Sequence, residues 1–286
     1  MNGAIIINKP AGMTSRDVIN RLNQILEMRE IGHTGTLDPM ATGVLVCLIG
    51  RATKLSNILT NHDKEYVATF KLGLLTDTLD ITGKVLKEDT ITIDEDAIIN
   101  ILKKLVGKYQ QEVPLYSAVK VNGKKLYDYA RQNQIVTLPT REVEIKTLAL
   151  LKIEAEMITI KTKVSKGTYI RSLVNDIGKS LGTYGTLVAL ERRVTGNFDI
   201  QLACSLDDVL NNRYQLISIK ELLKDYPQEE MDPALLFKVR NGQILERNIT
   251  DYLLFTFNNE PIALYQKYDK EVGKIKPAVM FYLYQN

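Results

Sequence analysis

Residues 32–43, Gly32-His33-Thr34-Gly35-Thr36-Leu37-Asp38-Pro39-Met40-Ala41-Thr42-Gly43, run directly into Val44-Leu45-Val46-Cys47-Leu48-Ile49. The first stretch carries three glycines, three threonines and a proline. Glycine and Asp-Pro punctuate a chain, so it reads as a loop. The second is an unbroken apolar run of strand length and reads as a buried strand. Asp-Pro alone makes Asp38 a turn residue, because the residue before proline is pushed out of the helical region. Its setting makes it more than that. Glycines on both sides let backbone approach a ligand closely, and a buried strand behind the loop holds it rigid, the usual support for reactive groups.

Reading outward, Ile5-Ile6-Ile7 is a short strand closed by Asn8-Lys9-Pro10. Thr14 is predicted as an N-cap with Asp17 completing a capping box, and Val18, Leu22, Ile25 and Leu26 form the apolar stripe of the helix that follows. Residues 64–72 read as a strand, Asp94 to Leu105 as a helix, and 141–164 as extended chain. After Gly167, the positions Ile170, Leu173, Val174, Ile177 and Leu181 keep a helical period until Gly182 stops it. Strands and helices mix without βαβ alternation. The fold class expected is therefore α+β, a mixed, mainly antiparallel sheet flanked by helices, rather than a doubly wound sheet. Asp225-Tyr226-Pro227-Gln228-Glu229-Glu230-Met231-Asp232-Pro233 has four acids and two prolines and reads as a linker. It divides the chain into 1–228 and a small β-rich module, 229–286.

Composition bounds the function. The chain has 286 residues, 45% hydrophobic and 25% charged, which excludes wholesale disorder. Lys+Arg 37 against Asp+Glu 34 gives +3, too mild to announce a nucleic-acid partner, so the pattern of charge must decide. The longest apolar run, 44–49, cannot span a bilayer, and Met1-Asn2-Gly3-Ala4-Ile5 lacks the features of a secretion signal. The expectation is a soluble, cytoplasmic protein. Cys47 and Cys204 make no disulfide framework, and with His33 and His62 they make a poor zinc set. No phosphate-binding glycine loop is present, so no nucleotide cofactor has support. Asp77 and Asp80, in Thr76-Asp77-Thr78-Leu79-Asp80-Ile81-Thr82-Gly83, lack the spacing of a calcium loop and read as a structured turn rather than a metal site.

Arg171 falls in the first turn of its helix, where the macrodipole disfavours a cation. A solvated surface arginine is one reading. The other is an anion site, and if the anion is Asp38 its ionised form is stabilised and aimed, as nucleophilic attack requires. Residues 117–131 carry four basic residues, one acid and two tyrosines, and 161–171 four basic residues and no acid. Basic side chains meet phosphates and tyrosines stack on exposed bases, so both segments are candidate RNA contacts.

The residues assembled so far resemble one family. The loop from Gly32 through Leu45 resembles the catalytic motif of the TruB family, the bacterial tRNA pseudouridine-55 synthases. Four further segments agree in the same order: 8–15, Lys64-Glu65-Tyr66, Tyr116-Ser117-Ala118-Val119-Lys120 through Arg131, and Ser165-Lys166-Gly167-Thr168-Tyr169-Ile170-Arg171. The match covers roughly residues 4–200. The resemblance implies a pseudouridine synthase fold followed by a PUA-like RNA-binding module, and conversion of uridine 55 in the T loop of tRNA to pseudouridine without metal or organic cofactor. It implies that Asp38 is the nucleophile, Tyr66 stacks on the base and helps move a proton, and Arg171 pairs with the aspartate. It further implies that His33 packs against the flipped nucleotide, that Tyr169 and Leu190 line the base pocket, and that Lys64 and Lys120 contact substrate. Residues 115–146 match a loop that closes on RNA. Asp38 could add to ribose C1′ or to C6 of the ring. Leu190-Glu191-Arg192-Arg193 departs from the family's more usual Leu-Arg-Arg. The partner expected is the T arm of tRNA, with no membrane, no obligate protein partner and a monomeric state. The competing readings are a synthase for another RNA and a tRNA-binding folding factor without catalysis. A pure binder has no need of Asp38, Tyr66 and Arg171 together.

Overall fold

The segment Lys64–Leu72 alternates between buried and half-buried positions along its whole length. Tyr66, Ala68, Phe70 and Leu72 all enter one core, the period-two pattern of a strand with a single apolar face. It is the central strand of the molecule. The computed structural model describes residues 1–281. In chain order the elements are β1 (Gly3–Lys9), α1 (Ser15–Ile25), β2 (Ile31–His33), β3 (Thr42–Ile49), α2 (Ser56–Leu59), β4 (Lys64–Leu72), β5 (Leu74–Thr76), β6 (Val85–Glu88), α3 (Glu95–Lys104) and β7 (Gly107–Glu112). There follow β8 (Lys120–Val121), β9 (Lys124–Lys125), α4 (Leu126–Arg131), β10 (Thr140–Glu154), β11 (Met157–Val164), α5 (Ile170–Ser180), β12 (Gly185–Thr195) and β13 (Phe198–Asp199). The last part holds α6 (Leu206–Leu210), α7 (Ile219–Leu222), β14 (Gln228–Glu230), α8 (Pro233–Arg240), β15 (Leu245–Glu246), β16 (Tyr252–Phe257), β17 (Glu260–Lys267) and β18 (Lys274–Met280).

Nine strands make the main sheet in the order β1-β3-β12-β4-β11-β10-β7, with β2 beside β3 and β13 beside β12. Pairings are antiparallel except where β12 meets β3, as expected for a mixed, mainly antiparallel α+β sheet. β3 changes partner along its length. Thr42 and Gly43 pair with Glu191 and Arg192 of β12, whereas Cys47, Leu48 and Ile49 pair with β2. The 34–41 loop crosses the notch between these two partners. Gly32 and His33 belong to β2 rather than to the loop expected from their glycine-rich context; three ladder pairs with β3 outweigh the glycine signal.

Ile5 and Ile7 of β1 and Leu45 and Cys47 of β3 pack under Val18, Ile19 and Leu22 of α1. Ala4, Ile6, Val44, Val46 and Leu48 face the other way into a second core. Strands buried on both faces read as continuous apolar runs, which explains 5–7 and 44–49. Thr14 and Asp17 form the predicted capping box of α1. Ile170, Leu173, Val174 and Ile177 of α5 pack on Tyr66, Ala68 and Phe70 of β4.

The second sheet has the order β14-β16-β17-β18-β15. Residues 225–233, expected to be a linker, are structured. Gln228–Glu230 pairs with β16, and the Asp232 side chain accepts from the Leu235 N–H at 2.7 Å with Pro233 at the helix start. The acid and proline content of this stretch is thus edge-strand and cap chemistry. Leu253 and Phe255 face the core under α8, while Leu254, Leu264, Val279 and Phe281 join Ile6, Val46 and Leu48 in the core shared with the main sheet. Among the described residues no helix is long and apolar enough to cross a membrane.

Candidate active site

The 34–41 loop is pinned from both sides by side chains that bond its backbone. Leu37 is 3% exposed and anchors the loop in the core. Its N–H donates to the Ser15 hydroxyl at 2.9 Å, and that hydroxyl donates to the Leu37 carbonyl at 3.2 Å. The Ala41 N–H donates to the Asp38 carbonyl at 3.0 Å, closing a four-residue turn with Asp first and Pro second, as turn chemistry favours. Lys9 is fully buried, and its ammonium donates to the carbonyls of Pro10, Met13 and Pro39 at 2.8, 2.6 and 3.2 Å. Three protons meet three acceptors. Burial pushes the Lys9 ammonium down to about 8, opposed by the nearby Asp38 charge. On the other side the buried Arg192 donates to the carbonyls of Val44, Gly35 and Thr36 at 2.7, 3.1 and 3.4 Å. Gly43, with φ of 102°, lies so close to β12 that an added Cβ would stand 2.2 Å from the Arg192 carbonyl.

This frame presents Asp38 to Arg171. The Arg171 Nε donates to Oδ2 at 2.9 Å and Nη2 to Oδ1 at 3.2 Å, a bidentate, charge-assisted fork. The remaining donors reach the Thr78 carbonyl at 3.0 Å and the Tyr116 carbonyl at 3.1 Å. The guanidinium therefore joins the aspartate loop, the 76–83 loop and the start of the 115–131 segment. The Arg171 side chain is 5% exposed and that of Asp38 36%. The carboxylate is fixed in plane yet open to an incoming group, the state a nucleophile needs. The anion reading of Arg171 is the one realised.

Asp80 stands 3.8 Å from Arg171 Nε and accepts from Thr78 Oγ1 at 2.9 Å and the Thr82 N–H at 3.1 Å. Asp77 accepts from the Lys84 N–H at 2.7 Å and the Tyr116 hydroxyl at 3.1 Å. These acids organise a turn, as their spacing suggested. Among the described residues no group of three or more His, Cys, Asp or Glu is gathered to hold a metal ion.

Tyr66 and Leu190, each 7% exposed, lie on β4 and β12 in the same core as Leu37, which precedes the Asp38 turn, and Ala41, which ends it. Tyr169 is half-buried at the N-cap of α5, with the Arg141 guanidinium 5.5 Å from its ring centroid. His33 closes β2, and its Nδ1 is buried with no hydrogen-bond partner. Burial, with Arg192 and Arg16 nearby, holds the imidazole below its ordinary 6.5, so it is neutral at pH 7. Lys120 is exposed on β8. Lys64, expected to touch substrate, is turned inward: its ammonium donates to the carbonyls of Thr60 and His62 at 2.7 and 2.6 Å. A buried ammonium must satisfy its donors, and burial takes it down to about 8. Tyr127 and Tyr129, expected to stack on bases, are faced by Lys125 and Arg131 and by Lys124 of their own segment.

Sequence reading did not find the grip of Arg192 on the loop. Its signal was period two in β12, where Leu190 and Arg192 both point inward. Ser15 and Gly43 carried no signal beyond helix start and loop.

Solved structures share this fold. A chain of an H/ACA RNP bound to a substrate RNA containing 2′-deoxyuridine superposes with a TM-score of 0.73 at 23% identity, over 98% of this chain and 85% of that one. A chain of an archaeal box H/ACA sRNP Nop10-Cbf5 complex gives 0.71 at 22% identity, over 97% and 84%. The fold is that of the pseudouridine synthases, followed by a PUA-like module. A model of the TruB family pseudouridylate synthase N-terminal domain matches residues 23–170. tRNA pseudouridine synthase B of Mesoplasma florum is 40% identical over 96% of this chain and 97% of its own, and that of Clostridium tetani 39% identical over 96% and 94%. The chain belongs to the TruB family.

Proposed function

We propose that this protein is an isomerase that converts uridine 55 in the T loop of tRNA to pseudouridine, with Asp38 as the nucleophile. The observation that carries the reading is the fork from Arg171 to both oxygens of Asp38. The reaction breaks N1–C1′, turns the base and joins C5 to C1′, while C5 loses a proton and N1 gains one. A base in a folded loop must first leave its stack. Asp38 then adds to C1′ or to C6, and both routes need an ionised, oriented carboxylate. Tyr66 and Leu190 supply a dry wall beside the turn, which keeps water from the intermediate. Tyr66 stacks on the base and assists proton movement, while His33 and Tyr169 pack around the flipped nucleotide. Lys120 lies on the segment that meets RNA, and Lys64 acts by bracing the backbone under the site.

Residues 1–228 form the catalytic unit and 229–286 an RNA-binding module, acting in the cytoplasm as a monomer on the T arm of tRNA, without cofactor. The relatives' names, tRNA pseudouridine synthase B, support the choice of RNA. The test is nucleotide-resolution mapping of pseudouridine in tRNA exposed to the purified protein. Modification at position 55, absent with Asp38→Asn, is expected; an unmodified tRNA, or full turnover by Asp38→Asn, refutes the reading.

A further inference from the structure

Helix α5, which carries Arg171, starts without a cap of its own. The N-cap is Tyr169, whose side chain makes no cap hydrogen bond. In a capping box the third helical residue, when Glu or Gln, reaches back to the N-cap N–H. Here that residue is Ser172, and its hydroxyl donates instead to the Glu112 carbonyl at 2.8 Å. The missing partner comes from β7. Gln111 is fully buried. Its Oε1 accepts from the Tyr169 N–H at 2.8 Å, and its Nε2 donates to the Tyr169 carbonyl at 3.2 Å and to the Tyr109 hydroxyl at 2.7 Å. A backbone N–H only donates and a carbonyl only accepts, so one amide orientation alone fits. The Tyr109 hydroxyl in turn donates a hydrogen bond to Asp176 Oδ2 at 3.2 Å, further along α5. Burial raises the Tyr109 hydroxyl, which therefore stays a donor. β7 thus grips α5 at Tyr169, Ser172 and Asp176, and Arg171 lies between the first two.

We infer that Gln111 is a positioning residue for the reaction: it caps α5 from the neighbouring strand and so aims Arg171 at Asp38. This rests on the function proposed above. The fork leaves little slack, because both of its bonds need the guanidinium in the plane of the carboxylate. An apolar side chain at 111 leaves the Tyr169 N–H buried and unpaired and frees the helix start to shift. A displacement of about 1 Å at a site of this kind lowers rates by about 100-fold.

The experiment compares Gln111→Leu and Gln111→Glu with the full-length wild type. Glu keeps an acceptor for the Tyr169 N–H but sets a carboxylate oxygen against the Tyr169 carbonyl. Thr186→Val, which removes a buried bond to the Leu74 carbonyl and no bond to Arg171 or Asp38, is the control for lost stability. Single-turnover pseudouridine formation is measured at saturating tRNA, well below each melting temperature, alongside the Kd for tRNA. Crystal structures are determined for both Gln111 variants. Gln111→Leu is expected to slow the step about 10- to 100-fold with Kd changed less than about threefold, Gln111→Glu to fall between, and Thr186→Val to keep its rate. The Arg171–Asp38 fork is expected to open in Gln111→Leu. A fork of wild-type length in that crystal structure overturns the inference whatever the substrate, as does a rate loss no greater than that of the control. Wild-type protein that leaves tRNA unmodified overturns the proposed function instead, and the structural comparison still decides the role of Gln111.

Discussion

Replacing Arg171 with lysine keeps the charge and removes the fork. Arg171 donates four bonds from a rigid planar group, two to Asp38 and two to the carbonyls of Thr78 and Tyr116. A lysine ammonium is a single point on a shorter reach and cannot span two carboxylate oxygens in plane. Losing one charge-assisted bond costs about 1.5 kcal/mol at the low end of the range, the end that suits a carboxylate open to water on one side. Leaving one buried carbonyl unpaired adds about 1–3 kcal/mol. Stability is therefore expected to fall by about 2.5–4.5 kcal/mol, read from urea midpoints at unchanged slope. The effect on rate is separate. A carboxylate free to swing by about 1 Å loses about 100-fold, equivalent to about 2.7 kcal/mol of barrier. The assay is release of tritium from C5-labelled uridine in tRNA, in single turnover at saturating enzyme, with Kd measured in parallel. A single-turnover rate within fivefold of wild type, or a loss confined to Kd, would falsify the assignment of Arg171 to the carboxylate and give it to RNA phosphate.

Asp38→Asn is expected to abolish the isomerisation while tRNA binding survives within about fivefold, by filter binding beside the tritium assay; comparable loss of both would make Asp38 a structural turn residue. Gly43→Ala places a methyl 2.2 Å from the Arg192 carbonyl at a positive φ, so β3 and β12 must part, and thermal unfolding should drop by several degrees; an unchanged melting temperature shows that the contact yields freely. Burial holds His33 and His62 below their ordinary 6.5. Below that pH the unfolded chain takes up protons that the folded chain refuses, so this contribution is complete above pH 6.5 and is lost as pH falls toward the folded-state values. Urea unfolding at pH 5.5 and 7.5 should show a smaller acid loss for the double variant His33→Gln, His62→Gln; equal losses count against it.

Much of the site was legible because its signals are local. The Asp38-Pro39 turn, the Thr14–Asp17 box and the 3.6 period from Ile170 each depend on residues a few positions apart. Arg171 was legible as an oddity, a cation where the helix dipole disfavours one, and it is explained by an acid 133 residues away in the chain. What stayed hidden is side chain to backbone bonding. Lys9, Lys64, Gln111 and Arg192 all bond main-chain groups, and every residue carries those, so no residue type marks the partner. Each looks like an ordinary polar position until the fold brings a carbonyl to it. The 225–233 stretch misled for the same reason: acids and prolines suit a slack connection, a strand edge and a helix cap alike.

Arg51 donates to the carbonyl of Phe281, and Lys54 to that of Met280 at 3.0 Å, beside the apolar layer in which Leu254, Leu264, Val279 and Phe281 meet Ile6 and Val46. The tail is therefore not a bead on a string. A chain cut after Pro227 would strip the outer wall from its own first strand, and the orphaned isoleucine and valine faces would drive clumping before any effect on catalysis could be measured.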